Sequence, residues 1–293
     1  MIVVTTPTGN IGRQVVDLLL AAGAPVRVIA RDPSSLPPAV RASAVVGSHG
    51  DPSVVRAAFE DADAVLWIAP PGFRALSLHD VYAGFTAPAC AAFTDGLVGR
   101  VVAVSALGRG TRWASDAGLV TASLAMDDAI MATGVPYRSL ALPSFMDNVL
   151  RQANPIATEG RCTGVLDPDR RLPLAATRDI AAVAAALLLD GSWTGQSDHP
   201  VLGPEDLSHA DLAKIMSEVV DRPVEYAQVT ADAFRTTLLS RGASPAVADG
   251  TTAMMVAKNA GLDNGVSRTP EWTTPTSFRE WCESALLPAV QSA

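Results

Sequence analysis

Residues 5–12 read "TTPTGNIG" and could form a turn that binds a phosphate group. They follow the apolar segment "MIVV" and precede "RQVVDLLLAAG", which has helical spacing. A strand, a glycine-containing turn and a helix in that order present backbone N–H groups to a pyrophosphate. Gly9 would allow close approach of the phosphate, and Gly12 close packing of the helix on the strand. Thr6 stands where the usual pattern has a glycine, so we predict a turn that is reshaped and still binds a dinucleotide.

The segment "VIARD" ends the second predicted strand and places Arg31 nineteen residues after Gly12. At this distance a dinucleotide-binding fold contacts the adenosine ribose. An acidic residue there would bind the 2′-hydroxyl of NAD, whereas an arginine favours a 2′-phosphate. We therefore predict NADP(H) as the cofactor. Asp32, one residue later, is predicted to cap the following turn. A Rossmann fold that no longer binds a nucleotide remains the alternative.

The sequence offers no strong proton donor for the reduction of a carbonyl group. Conventional short-chain reductases use a tyrosine whose pKa is lowered by a lysine four residues later. None of the three tyrosines has a lysine at that spacing, and the only lysines, Lys214 and Lys258, lie in the last third of the chain. Ser105, which ends the fifth predicted strand in "VVAVSALG", is the one candidate catalytic residue. A hydroxyl without a paired base is a poor acid, so Ser105 could equally be an ordinary strand-end hydroxyl.

A substrate that needs little help with its proton would suit such a site. A carbonyl conjugated to an aromatic or quinonoid ring gives a delocalised, weakly basic anion, and a neighbouring phenol can pass on its own proton. Flat or deformable apolar residues would line the pocket, and core packing is the competing role for each of them. We predict contacts with a polycyclic aromatic substrate from Phe73, Trp113, Met126, Phe145, Met146, Asn148 and Met254, and count Trp67 and Met255 among the candidate wall residues.

The elements that must position these residues alternate along the first half of the chain. Short segments rich in β-branched residues are "IVVT", "VRVIA", "SAVV", "AVLWIA", "VVAVSA" and "YRSLAL", and helical spacing covers 11–22, 52–59, 79–94 and 119–133. This rhythm predicts a Rossmann-type α/β fold with a doubly wound parallel sheet.

After about residue 150 the pattern changes to a smaller, mostly helical lobe. A helix is predicted at "TRDIAAVAAALLLDG", followed by helix, strand and helix over 207–242, with Ser208 and Thr230 as N-caps. We predict an NADP(H)-binding domain over 1–150, with helix 178–190 packed back on it. Residues 151–293 would form the substrate-binding lobe.

Composition narrows the possible partners and surroundings. The net charge of −8 and a pI near 5.0 argue against nucleic acid as a partner. Three widely spaced cysteines suggest neither a disulfide framework nor a metal site, and we predict no metal. No signal peptide is apparent, and the longest apolar segment is about half of what crossing a bilayer needs. We expect a cytoplasmic protein that does not bind membranes.

Several segments resemble the NmrA-like atypical short-chain dehydrogenase/reductase family, which includes NAD(P)H quinone oxidoreductases and NADP-sensing regulators. They are "TPTGNIGRQVV", "VIARDP", "GVPYRSLALPSFMDN", "RDIAAVAAALLLD", "MSEVVDRPVEYAQVTADAF" and "TPTSFREW". The resemblance implies a Rossmann domain that binds NADP(H) and a C-terminal lobe that closes a substrate cleft over the nicotinamide.

Departures from the family pattern concern the adenine site and the lysine. Ser48 replaces the usual adenine-contacting aspartate, Ser123 replaces the usual lysine, and Ala141 with Leu142 replaces an Arg-Pro pair. These departures put the usual adenine contact and a lysine-dependent step in doubt, and they leave phosphate and ribose binding unaffected. The predicted cofactor-binding residues are Thr6, Thr8, Gly9, Asn10, Ile11, Gly12, Arg31, Ser48, Ala69, Pro70, Pro71, Ser105, Pro143 and Phe145.

Two functions from different classes follow. The first is an NADPH-dependent ketoreductase or quinone reductase acting on a polycyclic aromatic ketone, and the overall character resembles the angucyclinone ketoreductases of antibiotic polyketide biosynthesis. The second is an NADP(H)-sensing regulator that binds the cofactor without turnover and acts on a protein partner. Isomerase or lyase chemistry on the same scaffold stays open, with no residue arguing for it.

Overall fold

The computed structural model describes residues 1–293, in twelve strands and thirteen helices. The strands are β1 Ile2–Val4, β2 Val26–Ala30, β3 Ala44–Val46, β4 Ala64–Trp67, β5 Val101–Ala106, β6 Tyr137–Leu142, β7 Ser144–Phe145, β8 Arg161–Gly164, β9 Leu172–Ala175, β10 Gln196–Pro200, β11 Asp206–Leu207 and β12 Glu225–Gln228. The helices are α1 Asn10–Ala21, α2 Pro38–Arg41, α3 Pro52–Phe59, α4 Leu78–Val81, α5 Ala83–Thr94, α6 Leu119–Met131, α7 Ala153–Glu159, α8 Thr177–Leu189, α9 His209–Val219, α10 Ala231–Ser240, α11 Pro245–Asn259, α12 Phe278–Trp281 and α13 Leu287–Gln291.

Contacts between residues divide the chain into two compact units. Unit 1 comprises 1–106, 122–141 and 180–200, and unit 2 comprises 107–121, 142–179 and 201–293. The chain passes between the units several times, because the segments that follow β5 and β6 belong to unit 2. The division at residue 150 stays a prediction of domain organisation.

Unit 1 is built around a seven-stranded parallel sheet with the order β10-β6-β5-β4-β1-β2-β3. The central strands β1 and β4 are buried along their whole length, as expected when helices flank both faces of a parallel sheet. This architecture confirms the predicted Rossmann-type α/β fold. The seventh strand, β10, was not predicted, because its sequence "QSDHP" is polar and it pairs with β6 at the edge of the sheet.

The sheet order reverses at β1, which pairs with β2 on one side and with β4 on the other. Ligands of doubly wound sheets bind at such a switch point, outside the carboxyl ends of the strands. The loops that leave β1 and β4 contain residues 5–9 and 68–77. The predicted phosphate-binding turn therefore lies at the switch point of unit 1.

The predicted helices of unit 1 are present with one change, and the short helix α2 was not predicted. The single helix expected over 79–94 is two helices, α4 and α5, because Tyr82 between them has φ −122° and ψ −83°. The core beneath the sheet is formed by buried side chains of strands and helices, among them Phe59, Trp67, Phe93 and Ile130.

Unit 2 contains a three-stranded sheet, β11-β9-β7, and a parallel pair, β12-β8, with helices around them. Phe278 and Trp281 stack in its core with ring centroids 5.5 Å apart. Ser208 caps α9 and Thr230 caps α10 by accepting backbone N–H groups, which confirms both predicted caps. None of the helices in either unit combines the length and the apolar character needed to cross a membrane.

Candidate functional site

The turn after β1 contains one residue with a left-handed backbone and is fixed by hydrogen bonds to the segment after β4. Thr6 has φ 52°, in the left-handed region that favours glycine, which explains why the family pattern has glycine there. The Thr6 hydroxyl donates to the carbonyl of Ile68 at 3.0 Å, and the Thr6 carbonyl accepts the N–H of Gly9 at 3.0 Å. These bonds fix the turn with a side chain in place of the missing glycine.

Neighbouring Thr5 joins the ends of β1 and β4. Its hydroxyl donates to the carbonyl of Leu66 at 3.0 Å and accepts the N–H of Ile68 at 2.8 Å. Because Thr5 and Thr6 both bond to the segment after β4, the two strand ends that border the switch point are held together.

Two glycines shape the start of α1, where the phosphate site is predicted. Gly9 is the N-cap of α1, and no side chain caps the helix. A Cβ on Gly12 would lie 2.2 Å from the carbonyl oxygen of Thr6, so only glycine allows this packing of α1 on the turn. A helix N-terminus that no side chain caps, with a glycine at the N-cap position, fits a dinucleotide pyrophosphate. Thr8 and Asn10 are exposed beside it, whereas Ile11 is buried.

Arg31 lies directly after β2 and is exposed, as ribose or 2′-phosphate recognition would require. Asp32 accepts the N–H of Ser34 at 2.8 Å, so it forms the predicted cap. Ser48 is exposed in the loop after β3. His49 is buried and its Nε2 lies 3.0 Å from the carbonyl of Ile68. Burial, together with the positive charge of Arg31, lowers the pKa of His49, so the ring is neutral and serves the switch point structurally.

Ser105 has a partner that sequence reasoning missed. Its hydroxyl donates to Asp127 Oδ2 at 2.6 Å and lies 3.1 Å from the hydroxyl of Ser123. Asp127 belongs to α6 and is fully buried, and it also accepts hydrogen bonds from Tyr137 at 2.6 Å and Ser139 at 3.0 Å. The residues of this hydroxyl–carboxylate cluster are Ser105, Ser123, Asp127, Tyr137 and Ser139, all in unit 1.

Tyr137 takes part in this cluster as a neutral phenol. Burial, with the nearby charge of Asp127, raises its pKa well above the usual value, so the hydroxyl keeps its proton and donates a hydrogen bond to the carboxylate. The spacing of Ser123 and Asp127, one helical turn apart on α6, was the signal in the sequence that could have indicated the cluster.

The other predicted residues of unit 1 differ in how far they are exposed. Ala69, Pro70 and Pro71 are at least partly exposed in the loop after β4, and Phe73 in the same loop is 40% exposed. Met126 and Trp67 are fully buried in the core of unit 1, where Trp67 donates its indole N–H to Thr86 at 3.0 Å. For these two side chains the structure shows core packing.

The predicted residues of unit 2 also fall into two groups. Pro143 and Met146 are buried. The partly or fully exposed ones are Trp113, Phe145, Asn148, Met254 and Met255. The guanidinium of Arg112 lies 4.4 Å from the centre of the Trp113 ring, which gives that ring a cation–π contact. Cofactor and substrate roles for the unit 2 residues stay predictions.

Comparison with known proteins bears on the turn of unit 1 and on the chain as a whole. The profile of the NAD(P)H-binding family matches residues 7–191. A relative in Streptomyces griseus subsp. griseus, a (4-alkanoyl-5-oxo-2,5-dihydrofuran-3-yl)methyl phosphate reductase, is 30% identical over 84% of this chain and 83% of its own length.

Two solved structures share the fold. The Citrobacter sp. triphenylmethane reductase complexed with NADP(H) covers 97% of this chain and 100% of its own, with a TM-score of 0.78 at 20% identity. The NADPH-dependent quinone oxidoreductase of Escherichia coli complexed with NADPH covers 96% and 98%, with a TM-score of 0.78 at 21% identity. Because the family profile covers more than half of the chain, the chain belongs to the NAD(P)H-binding family.

Proposed function

We propose that this protein is an NADPH-dependent reductase of a carbonyl group conjugated to a polycyclic aromatic or quinonoid ring. The finer form of the proposal is angucyclinone-type ketoreduction in antibiotic biosynthesis. The reduced nicotinamide would supply a hydride, and the protein would bind and orient both reactants without supplying a strong acid.

The observation that carries the proposal is the state of the hydroxyls near the end of β5. Unit 1 contains no lysine, so it lacks the residue that lowers the pKa of the catalytic tyrosine in conventional reductases. Tyr137 and Ser105 both direct their hydrogens to Asp127. A quinone, whose reduced form is a delocalised phenolate, needs no protein acid, and neither does a ketone whose neighbouring phenol passes its proton to the new alkoxide.

The relatives support a conjugated acceptor as the substrate. The S. griseus relative is named for reduction of an alkanoyl-substituted oxo-dihydrofuran, and the E. coli structure for reduction of a quinone. Both names describe compounds in which carbonyl groups belong to a conjugated or electron-poor system. Arg31 supports NADPH over NADH, because a guanidinium binds a 2′-phosphate through paired hydrogen bonds.

The test is a turnover assay with NADPH or NADH and a panel of hydroxylated anthraquinones, followed by nicotinamide absorbance and mass spectrometry of the product. We expect NADPH consumption with formation of a reduced product. Arg31→Ala should lower kcat/KM for NADPH about tenfold, the loss of one charge-assisted contact, and leave that for NADH unchanged. Arg56→Ala is the matched control, since Arg56 is an exposed arginine of the same unit that pairs with Asp95.

Two results would contradict the proposal. Equal losses for both nucleotides in Arg31→Ala would remove Arg31 from the 2′-phosphate. Tight binding of NADP⁺ and NADPH with no consumption across the panel would favour the NADP(H)-sensing regulator instead.

A further inference from the structure

The direction of the hydrogen bonds at Ser105 determines what this residue can offer to a ligand. A serine hydroxyl has one hydrogen and two acceptor positions. At 2.6 Å from Asp127 Oδ2, the hydrogen of Ser105 is directed to a carboxylate, which can only accept. Ser123, 3.1 Å away, then donates to one acceptor position of Ser105. One acceptor position of Ser105 remains for a further donor.

The rest of the cluster holds Asp127 as an acceptor. Tyr137 donates to Oδ1 at 2.6 Å, and Ser139 donates to Oδ2 at 3.0 Å beside Ser105. Three hydroxyl donors on one buried side chain stabilise its ionised form. A hydroxyl that donates to a buried carboxylate is itself polarised and becomes a stronger acceptor.

Ser105 also lies where a ligand would meet it. It is near the carboxyl end of β5, next to β4, whose end borders the switch point. Ligands of a doubly wound sheet bind outside these strand ends. Ser105 is 6% exposed, so a bound molecule could meet only this small part of the residue.

We propose that Ser105 is a hydrogen-bond acceptor toward the substrate, positioned by Asp127, and that it selects compounds carrying a hydroxyl donor on the ring system that bears the carbonyl. This rests on the proposed function for the ring system and names a feature that the substrate must have. It also assigns Asp127 as a positioning residue. In this arrangement Ser105 does not donate a hydrogen bond to the carbonyl group of the substrate.

Equilibrium binding tests the selection without turnover. The probes are 1- and 2-hydroxyanthraquinone and the parent anthraquinone, titrated into protein saturated with NADP⁺ and followed by tryptophan fluorescence. One hydroxyl isomer should bind the wild type about tenfold more tightly than the parent, equivalent to about 1.4 kcal/mol for one added hydrogen bond. In Ser105→Ala and in Asp127→Asn this ratio should fall to near one.

Ser43→Ala is the matched control, because Ser43 is a serine of the same unit that lies outside the cluster and bonds to the backbone carbonyls of Val26 and Val40. It should keep the tenfold preference. Equal binding of parent and hydroxylated compounds by the wild type, or a preference that survives in Ser105→Ala, would overturn the role of Ser105 alone. Failure of all three anthraquinones to bind would overturn the proposed substrate class, and the selection with it.

The hydrogen-bond direction has its own test, independent of any ligand. A difference infrared spectrum between ¹³C-aspartate-labelled wild type and Asp127→Asn at neutral pH should show the loss of an ionised carboxylate band. Loss of a carboxylic acid band would overturn the proposal, because a protonated Asp127 could donate to Ser105 and free the serine hydrogen to face the ligand.

Discussion

Asp127 of unit 1 and Asp263 of unit 2 are the most deeply buried aspartates, at 0% and 1% exposure, and they are stabilised in different ways. Asp127 of unit 1 accepts hydrogen bonds from Ser105 on β5 and from Tyr137 and Ser139 on β6. Asp263 of unit 2 forms an ion pair with buried Lys258, five residues earlier in the chain. Neutral hydroxyl donors from two strands stabilise the Asp127 carboxylate, whereas the ammonium group of Lys258 stabilises the Asp263 carboxylate.

The two carboxylates also differ in how completely they are satisfied. Both oxygens of Asp127 accept hydrogen bonds, whereas Asp263 Oδ1 has no hydrogen-bond partner. Burial raises the pKa of Asp263, and Lys258 only partly opposes this effect. A hydroxyl can both donate and accept, so the donors around Asp127 can also bind a ligand, while an ammonium group can only donate. The hydroxyl arrangement suits a binding site, and the ion pair suits a structural role.

The largest loss of stability should follow from removing Lys258, the charged donor to Asp263. Lys258→Met leaves the Asp263 carboxylate buried without its counter-charge, so we expect a loss of about 3–5 kcal/mol in the free energy of unfolding. Urea unfolding followed by circular dichroism measures it. Lys214→Met is the matched control, since Lys214 is the only other lysine and is exposed.

A second substitution separates the charge from the packing. Lys258→Met combined with Asp263→Leu removes both charges and should recover most of the lost stability. If the single Lys258→Met variant loses less than about 1 kcal/mol, the ion pair is not what stabilises Asp263, and the contrast with Asp127 disappears.

A smaller effect is expected when Asp127 becomes an amide. Asp127→Asn keeps the shape and one acceptor oxygen, and the hydroxyls facing its NH2 group can rotate to accept, so we expect a loss of about 2 kcal/mol. The same unfolding measurement applies, with the exposed neighbour variant Asp128→Asn as the control. A loss as large as that of Lys258→Met would mean that the hydroxyls cannot reorganise.

The sequence predicted the fold of unit 1 much better than it predicted these clusters. Runs of β-branched residues such as "AVLW" identify buried strands, and Gly9 and Gly12 identify the turn, because these signals are local. Even the departure at Thr6 was placed correctly, since the pattern fixes which position needs a left-handed backbone. The polar edge strand β10 lacked such a signal.

The partners of Ser105 could not be predicted because they converge only in three dimensions. Asp127 and Ser139 follow it by 22 and 34 residues and meet it through the pairing of β5 with β6 and the rotation of α6. The sequence of a helix indicates on which face a residue lies, but it does not indicate which hydroxyl of a strand that residue contacts. The sequence therefore indicated Ser105 as an isolated hydroxyl, and the structure supplies its carboxylate.

The smallest effect should come from removing a single hydroxyl from Asp127. Ser139→Ala leaves Ser105 on the same carboxylate oxygen and Tyr137 on the other, so no oxygen loses its last partner. We expect a loss of about 1 kcal/mol in the free energy of unfolding, the usual net contribution of one hydrogen bond. Tyr137→Phe is the informative control, because it removes the phenol hydroxyl that donates to Oδ1. It should lower the free energy of unfolding more than Ser139→Ala does. If the two variants lose equal stability, the carboxylate has moved to share its remaining donors, and the fixed direction of the Ser105 hydrogen bond is lost as well.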